Sequence, residues 1–159
     1  MLVAGIDSGS ISTGFAFVEE KGRCLTAVDF GALRPKTGQP LPDRIEFLFN
    51  GVSALFDKYS PDMMALEDIF MAKNVQSAFK LGQVRGAIIA AARTRGIKVM
   101  EFTPTLVKSA VTGYGRAEKS QVAFMVTKLL GLEEKPSSED ASDALALAIT
   151  GILRKETPR

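Results

Sequence analysis

Four consecutive apolar residues, Met63-Met64-Ala65-Leu66, lie between two long segments of helical periodicity, and this run constrains the fold more than any other feature. A strand that is apolar throughout is buried on both faces, as in the centre of a helix-covered sheet. Upstream, Leu41, Ile45, Leu48, Phe49, Val52, Leu55 and Phe56 recur at helical spacing, so residues 43–59 are expected as an amphipathic helix. Pro61 separates that helix from the strand. Downstream, residues 74–95 read as a long helix closed by Gly96.

The remaining elements follow from the same signals. Val3 to Ile6 is a short apolar strand ending at the turn signal Asp7-Ser8-Gly9-Ser10. Residues 13–18 and 24–33 read as two more strands, joined by a hairpin turn at Lys21-Gly22. Residues 34–42 hold Pro35, Gly38, Pro40 and Pro42 and read as a loop. Residues 97–102 read as a fifth strand, and residues 105–111, 117–130 and 138–153 as three helices. The expected order is βββαβαβααα, with one domain over residues 1–154 and a tail over 155–159; 159 residues suit one domain. In the long helix, Ala78, Gly82, Gly86 and Ala90 lie four apart. A glycine inside a helix costs about 1 kcal/mol relative to alanine, so close approach by the sheet, or by the same helix of a partner subunit, is expected there.

The charge is unevenly distributed. Residues 69–132 hold ten basic residues against Glu101 and Glu118, a net +8; the whole chain is +2, which leaves −6 for the rest. A basic middle between acidic flanks suits a polyanionic partner, together with a cation held by the acids. With no histidine in the chain, imidazole is excluded as base or zinc ligand. The lone Cys24 excludes an internal disulfide, fits a reducing cytoplasm, and is most simply a small core residue. The N-terminus has neither a basic region nor a long apolar run, so no signal peptide is expected, and no stretch is apolar enough for a membrane span.

Four acids stand where a fold presents chemistry. Asp7 follows the first strand and Glu67 ends the fourth, while Asp140 and Asp143 lie three apart at the start of the last helix. Each has a plain structural explanation. Asp7 fits a turn beside Gly9, and Glu67 is the first polar residue after a strand. Asp140 and Asp143 favour the helix dipole, and Ser137 with Asp140 fits a capping box. If the first and fourth strands are neighbours, however, all four converge. Converging carboxylates repel one another unless cations sit among them. An oxygen-only ligand set favours Mg²⁺ or Mn²⁺, and two such ions about 3.5–4 Å apart clamp a phosphodiester.

Several blocks carry a family resemblance. Gly5-Ile6-Asp7-Ser8-Gly9-Ser10 with Thr13-Gly14 resembles the opening motif of the RuvC Holliday junction resolvases. The block from Leu66-Glu67-Asp68-Ile69-Phe70 through Lys73-Asn74 to Gly86 is similar to that family at greater length. Gly113-Tyr114-Gly115-Arg116-Ala117-Glu118-Lys119 and Asp140-Ala141-Ser142-Asp143 complete the pattern.

The resemblance implies a ribonuclease H-like α/β fold: a mixed five-stranded sheet with three antiparallel N-terminal strands and two further parallel strands, flanked by helices. It implies a homodimer that nicks two strands of like polarity at a four-way DNA junction, leaving 5′-phosphate and 3′-hydroxyl ends. Asp7, Glu67, Asp140 and Asp143 match the family's metal-binding acids. Phe70 matches an aromatic that stacks on an unpaired base, and Lys108 and Lys119 match basic residues near the scissile phosphate. The helix with Gly82 and Gly86 matches the dimer-forming element, and a branch-migration helicase complex is the expected partner. Lys73 and Asn74 beside Phe70, and Lys80, Arg85 and Arg116 elsewhere, are candidate DNA contacts for which a solvated surface charge is the plain alternative. Ser8 stands where the family usually has proline, and Ser12 where a basic residue is common.

Two other readings compete. Asp-x-Gly-Ser followed by Thr-Gly also occurs in the first phosphate loop of actin-like ATPases, although those need two such domains. A non-catalytic junction-binding module is the other, and the full set of four acids speaks against it.

Overall fold

The computed structural model describes residues 1–68 and 75–155. Three strands open the chain: β1 (Leu2–Asp7), β2 (Thr13–Lys21) and β3 (Cys24–Leu33). Then come α1 (Leu41–Tyr59), β4 (Met63–Glu67), α2 (Val75–Arg93) and β5 (Lys98–Phe102), followed by α3 (Pro104–Thr112), α4 (Lys119–Leu129) and α5 (Glu139–Leu153). The sheet order is β3-β2-β1-β4-β5. β1–β2 and β2–β3 are antiparallel, while β1–β4 and β4–β5 are parallel. This is the mixed five-stranded sheet expected of a ribonuclease H-like core.

Successive side chains of a strand point to opposite faces, and here each face has its own helical cover. Ala4, Ile6, Met64 and Leu66 face α1 and α2, meeting Leu48, Val52, Phe56, Val84 and Ile88. Val3, Met63 and Ala65 face the other way, toward Ala144, Leu145, Ala148 and Ile149 of α5. Both strands at the centre are therefore buried on both sides. α5 presses hardest at Gly5, where an added Cβ would lie 1.9 Å from the Ala144 carbonyl oxygen.

Several boundaries move from the sequence expectation. α1 starts at Leu41 rather than residue 43, because Pro42 lacks an N–H that the first turn would not use and its φ suits that turn. α4 starts at Lys119 rather than 117, since Glu118 has extended backbone and its N–H donates to Gln121 Oε1 at 2.9 Å. Ser138, not Ser137, caps α5, its Oγ accepting from the Ala141 N–H at 3.2 Å. Cys24 is exposed at the start of β3, not in the core, because it alternates with Leu25 and Ala27, which pack against the core on the α5 side, and shares the exposed face of Thr26 and Val28. Among the described residues, no helix is long and apolar enough to cross a membrane.

Candidate active site

Strand parity brings the first two acids together. Asp7 has the parity of Val3 and Gly5, and Glu67 that of Met63 and Ala65, so both side chains emerge on the α5 face. β1 and β4 are parallel neighbours with Ile6 opposite Leu66, which sets Asp7 and Glu67 side by side at the same end. α5 crosses that face with Asp143 in its second turn. Asp7, Glu67, Asp143, Lys108 and Lys119 line one cavity of about 320 Å³, floored by apolar residues such as Val107 and Leu147.

The electrostatics record the crowding. Burial, then the charges of Asp143, Glu67 and Asp140, raise the Asp7 pKa to about 7, against a smaller lowering by Lys119. Burial and the Asp143 charge likewise raise that of Glu67, opposed by Lys119, Arg85 and Lys108. Lys119 Nζ lies 3.3 Å from both Asp143 Oδ2 and Glu139 Oε2, and the Asp143 charge is the main cause that raises its pKa.

Asp140 stands at the rim. Ser12 Oγ donates to its Oδ2 at 2.7 Å, and Arg34 Nη2 lies 3.6 Å from the same oxygen. β2 reaches this point because Gly14 has no side chain: a Cβ there would sit 2.0 Å from the Asp140 carbonyl oxygen. The turn after Asp7 is braced by Thr13, whose Oγ1 donates to the Gly9 carbonyl at 2.9 Å and accepts from the Gly9 N–H at 3.3 Å. That brace stiffens the turn with Ser8 in the usual proline position. Among the described residues, no three acids are drawn tightly enough to enclose an ion as they stand; Asp143 leans to Lys119 and Asp140 to Ser12. The donor set is nevertheless all carboxylate oxygen, and its mutual repulsion is what a divalent cation relieves.

The other candidates divide. Lys108 on α3 lines the cavity. Lys80 on α2 and Arg116 before α4 are exposed and do not line it. Phe70, Lys73 and Asn74 lie outside the described residues. Arg85 is not a surface DNA contact: it is 6% exposed, with its guanidinium on the Glu67 carbonyl and on Glu101. Gly82 and Gly86 are exposed, and a Cβ at either meets nothing within 4 Å, so the sheet is not what they make room for. Sequence reading missed Arg34, Glu139 and the inward turn of Arg85. Only the last had a readable signal, since Arg85 shares a helical stripe with Ile88 and Ala92.

The family described as crossover junction endodeoxyribonuclease RuvC matches residues 3–151. This chain belongs to the RuvC family. The RuvC of Citrifermentans bemidjiense is 49% identical over 149 residues, covering 94% of this chain and 90% of the relative. That of Brevibacillus brevis is 45% identical over 150 residues, covering 94% and 90%. The Thermus thermophilus RuvC solved in complex with Holliday junction substrate superposes with a TM-score of 0.93 at 32% identity, covering 98% of this chain and 94% of that one. The RuvC match spans all four acids, from β1 to α5, so the motifs and the sheet topology point to the same family.

Proposed function

We propose that this chain is a Holliday junction resolvase that uses divalent ions, Mg²⁺ with Mn²⁺ as a substitute, to nick two strands of like polarity in a four-way DNA junction. The observation that carries the reading is the gathering of Asp7, Glu67 and Asp143, from β1, β4 and α5, around one cavity, where burial and the neighbouring acids raise the Asp7 pKa to about 7. A protein has little reason to gather like charges in a part-buried cleft unless a cation is to be held there.

Asp7, Glu67, Asp140 and Asp143 would hold the ions, two per site. Bound there, such ions supply an activated water and stabilise the leaving oxygen of an in-line displacement, giving 5′-phosphate and 3′-hydroxyl ends. The chain's own groups do the rest. Lys119 and Lys108, which both line the cavity, face the scissile phosphate and offset charge developing on it. Exposed Lys80 and Arg116 hold DNA backbone. Phe70, Lys73 and Asn74 are proposed as base and backbone contacts near the crossover. The open face at Gly82 and Gly86 suits a second copy of the chain, so that two sites meet one junction, and a branch-migration helicase complex is the proposed cellular partner.

The deciding experiment is a magnesium titration on a synthetic four-way junction, with Asp7→Asn beside the wild type. Paired symmetric nicks that require the divalent ion and vanish in Asp7→Asn are expected. Binding without cutting at any ion concentration would leave a junction-binding module, and ATP binding without DNA binding an actin-like domain.

A further inference from the structure

Arg85 lies in the stripe of α2 that faces the sheet, beside Val84 and Ile88. Its side chain is only 8% exposed, yet its guanidinium has two partners. Nη1 donates to the backbone carbonyl of Glu67, and Nη2 donates to Glu101 Oε1 at 2.6 Å. Glu101 pairs in register with Leu66, and Phe102 with Glu67. Both contacts therefore fall at the end of β4, where Glu67 leaves the sheet. Leu66 faces α1 and α2, so Glu101 is reached from that side, while the Glu67 carboxylate points into the cavity on the other. The Asp68 N–H, donating to the Phe102 carbonyl at 2.8 Å, grips the same backbone from the next strand.

Stability alone does not account for this arginine. A buried ion pair loses much of its attraction to desolvation, and an apolar side chain of similar volume often serves a helix–sheet contact as well or better. An apolar side chain has no donor for the carbonyl of residue 67. That contact fixes the peptide immediately after the Glu67 Cα, and with it the direction of the carboxylate.

We propose that Arg85 is a positioning residue that holds the Glu67 carboxylate in place from the reverse side of the sheet and thereby ties α2 to the nuclease site. The inference rests on the reading of Glu67 as a metal-holding acid. It gives α2 a second task beside packing: a displacement of this helix is transmitted to Glu67 through one guanidinium.

The test compares Arg85→Met, Arg85→Lys and Glu67→Gln with the wild type by thermal unfolding, junction affinity without divalent ion, calorimetric Mn²⁺ affinity and single-turnover cleavage. Arg85→Met is expected to weaken Mn²⁺ binding and slow cleavage by about 10- to 100-fold, the usual cost of losing a group that orients a metal ligand, with junction affinity unchanged. Arg85→Lys, able to reach one partner at a time, falls between. If Arg85→Met does not fold, Arg85→Lys decides: a raised Mn²⁺ requirement at an unchanged melting temperature supports the proposal. Wild-type Mn²⁺ affinity and rate in a folded Arg85 variant, or a lowered melting temperature as the sole effect, overturns it. Glu67→Gln separates the two levels. If it is inactive while the Arg85 variants behave as wild type, only this inference fails; if it binds Mn²⁺ and cuts normally, the reading of Glu67 fails.

Discussion

The Lys119 ammonium lies 3.3 Å from the Asp143 carboxylate, joining the first residue of α4 to the second turn of α5. A cation at a helix N-terminus opposes the helix dipole, and the acids of α5 compensate for it. Lys119→Met should therefore free Asp143 and remove a cation that lowers both Asp7 and Glu67. Single-turnover cleavage should fall about 10²- to 10³-fold, the typical cost of losing one charge-stabilising group. A near-wild-type rate would remove Lys119 from the chemistry.

Asp7 predicts an unusual pH dependence of stability. Its folded pKa of about 7 lies above the ordinary 3.8, so between those values the folded state keeps a proton that the unfolded state has lost. Stability then falls as pH rises from about 4 to about 7 and levels off above. In metal-free buffer, Asp7→Asn should melt higher than the wild type at pH 8, with the difference vanishing near pH 4. Added Mg²⁺ at pH 8 should raise the melting temperature of the wild type far more than that of Asp7→Asn. Melting curves at both pH values, with and without the ion, check this.

Two glycines set how close α5 comes to the sheet. Gly5→Ala and Gly14→Ala would each drive a Cβ into α5 backbone, at 1.9 Å and 2.0 Å. Overpacking of this kind costs about 1–3 kcal/mol, and more where backbone must move. Gly14→Ala should also displace Asp140 and cut activity more than its stability loss explains. Denaturant midpoints measured beside cleavage rates separate the two effects.

The open face of α2 makes the opposite prediction. Nothing lies within 4 Å of a Cβ added at Gly82 or Gly86, so Gly82→Ala should stabilise an isolated subunit by up to about 1 kcal/mol through helix propensity. If the proposed dimer forms through this face, Gly86→Arg should leave the fold intact but shift sedimentation from dimer to monomer and turn paired nicks into single ones. A dimer undisturbed by Gly86→Arg would move the interface elsewhere.

DNA affinity should report the basic contacts. Lys108→Ala, Lys80→Ala and Arg116→Ala should each weaken junction binding and reduce the slope of log affinity against log salt by about 1 per lost phosphate contact. A slope unchanged in all three would assign the phosphate contacts to other residues.

The fold class was legible before any coordinates. The family resemblance implied it, while the apolar run at residues 63–66 by itself asks for a strand between two helical layers, and parity puts Asp7 and Glu67 on one face once β1 and β4 pair. The four acids, Lys119 and Lys108 could be named because short motifs carried them. Element ends were less legible, since a proline in a first turn or a shift of one capping serine changes little in the local pattern. Solvent exposure was not legible for Cys24, which lies on the uncovered face of β3 while its neighbour Leu25 packs against the core.

By itself the sequence determined the periodicities, and with them the order of elements, because periodicity is a property of neighbours along the chain; the acids were named by the motifs that resemble the family. Tertiary structure alone decided that the Arg85 guanidinium meets the Glu67 carbonyl and Glu101, that Ser12 and Arg34 meet Asp140, and that Gly82 and Gly86 face away from the sheet. Those outcomes depend on which surfaces come within a few ångströms of each other, and pairs such as Ser12 and Asp140, 128 residues apart, acquire that proximity only when α5 docks against Gly5 and Gly14.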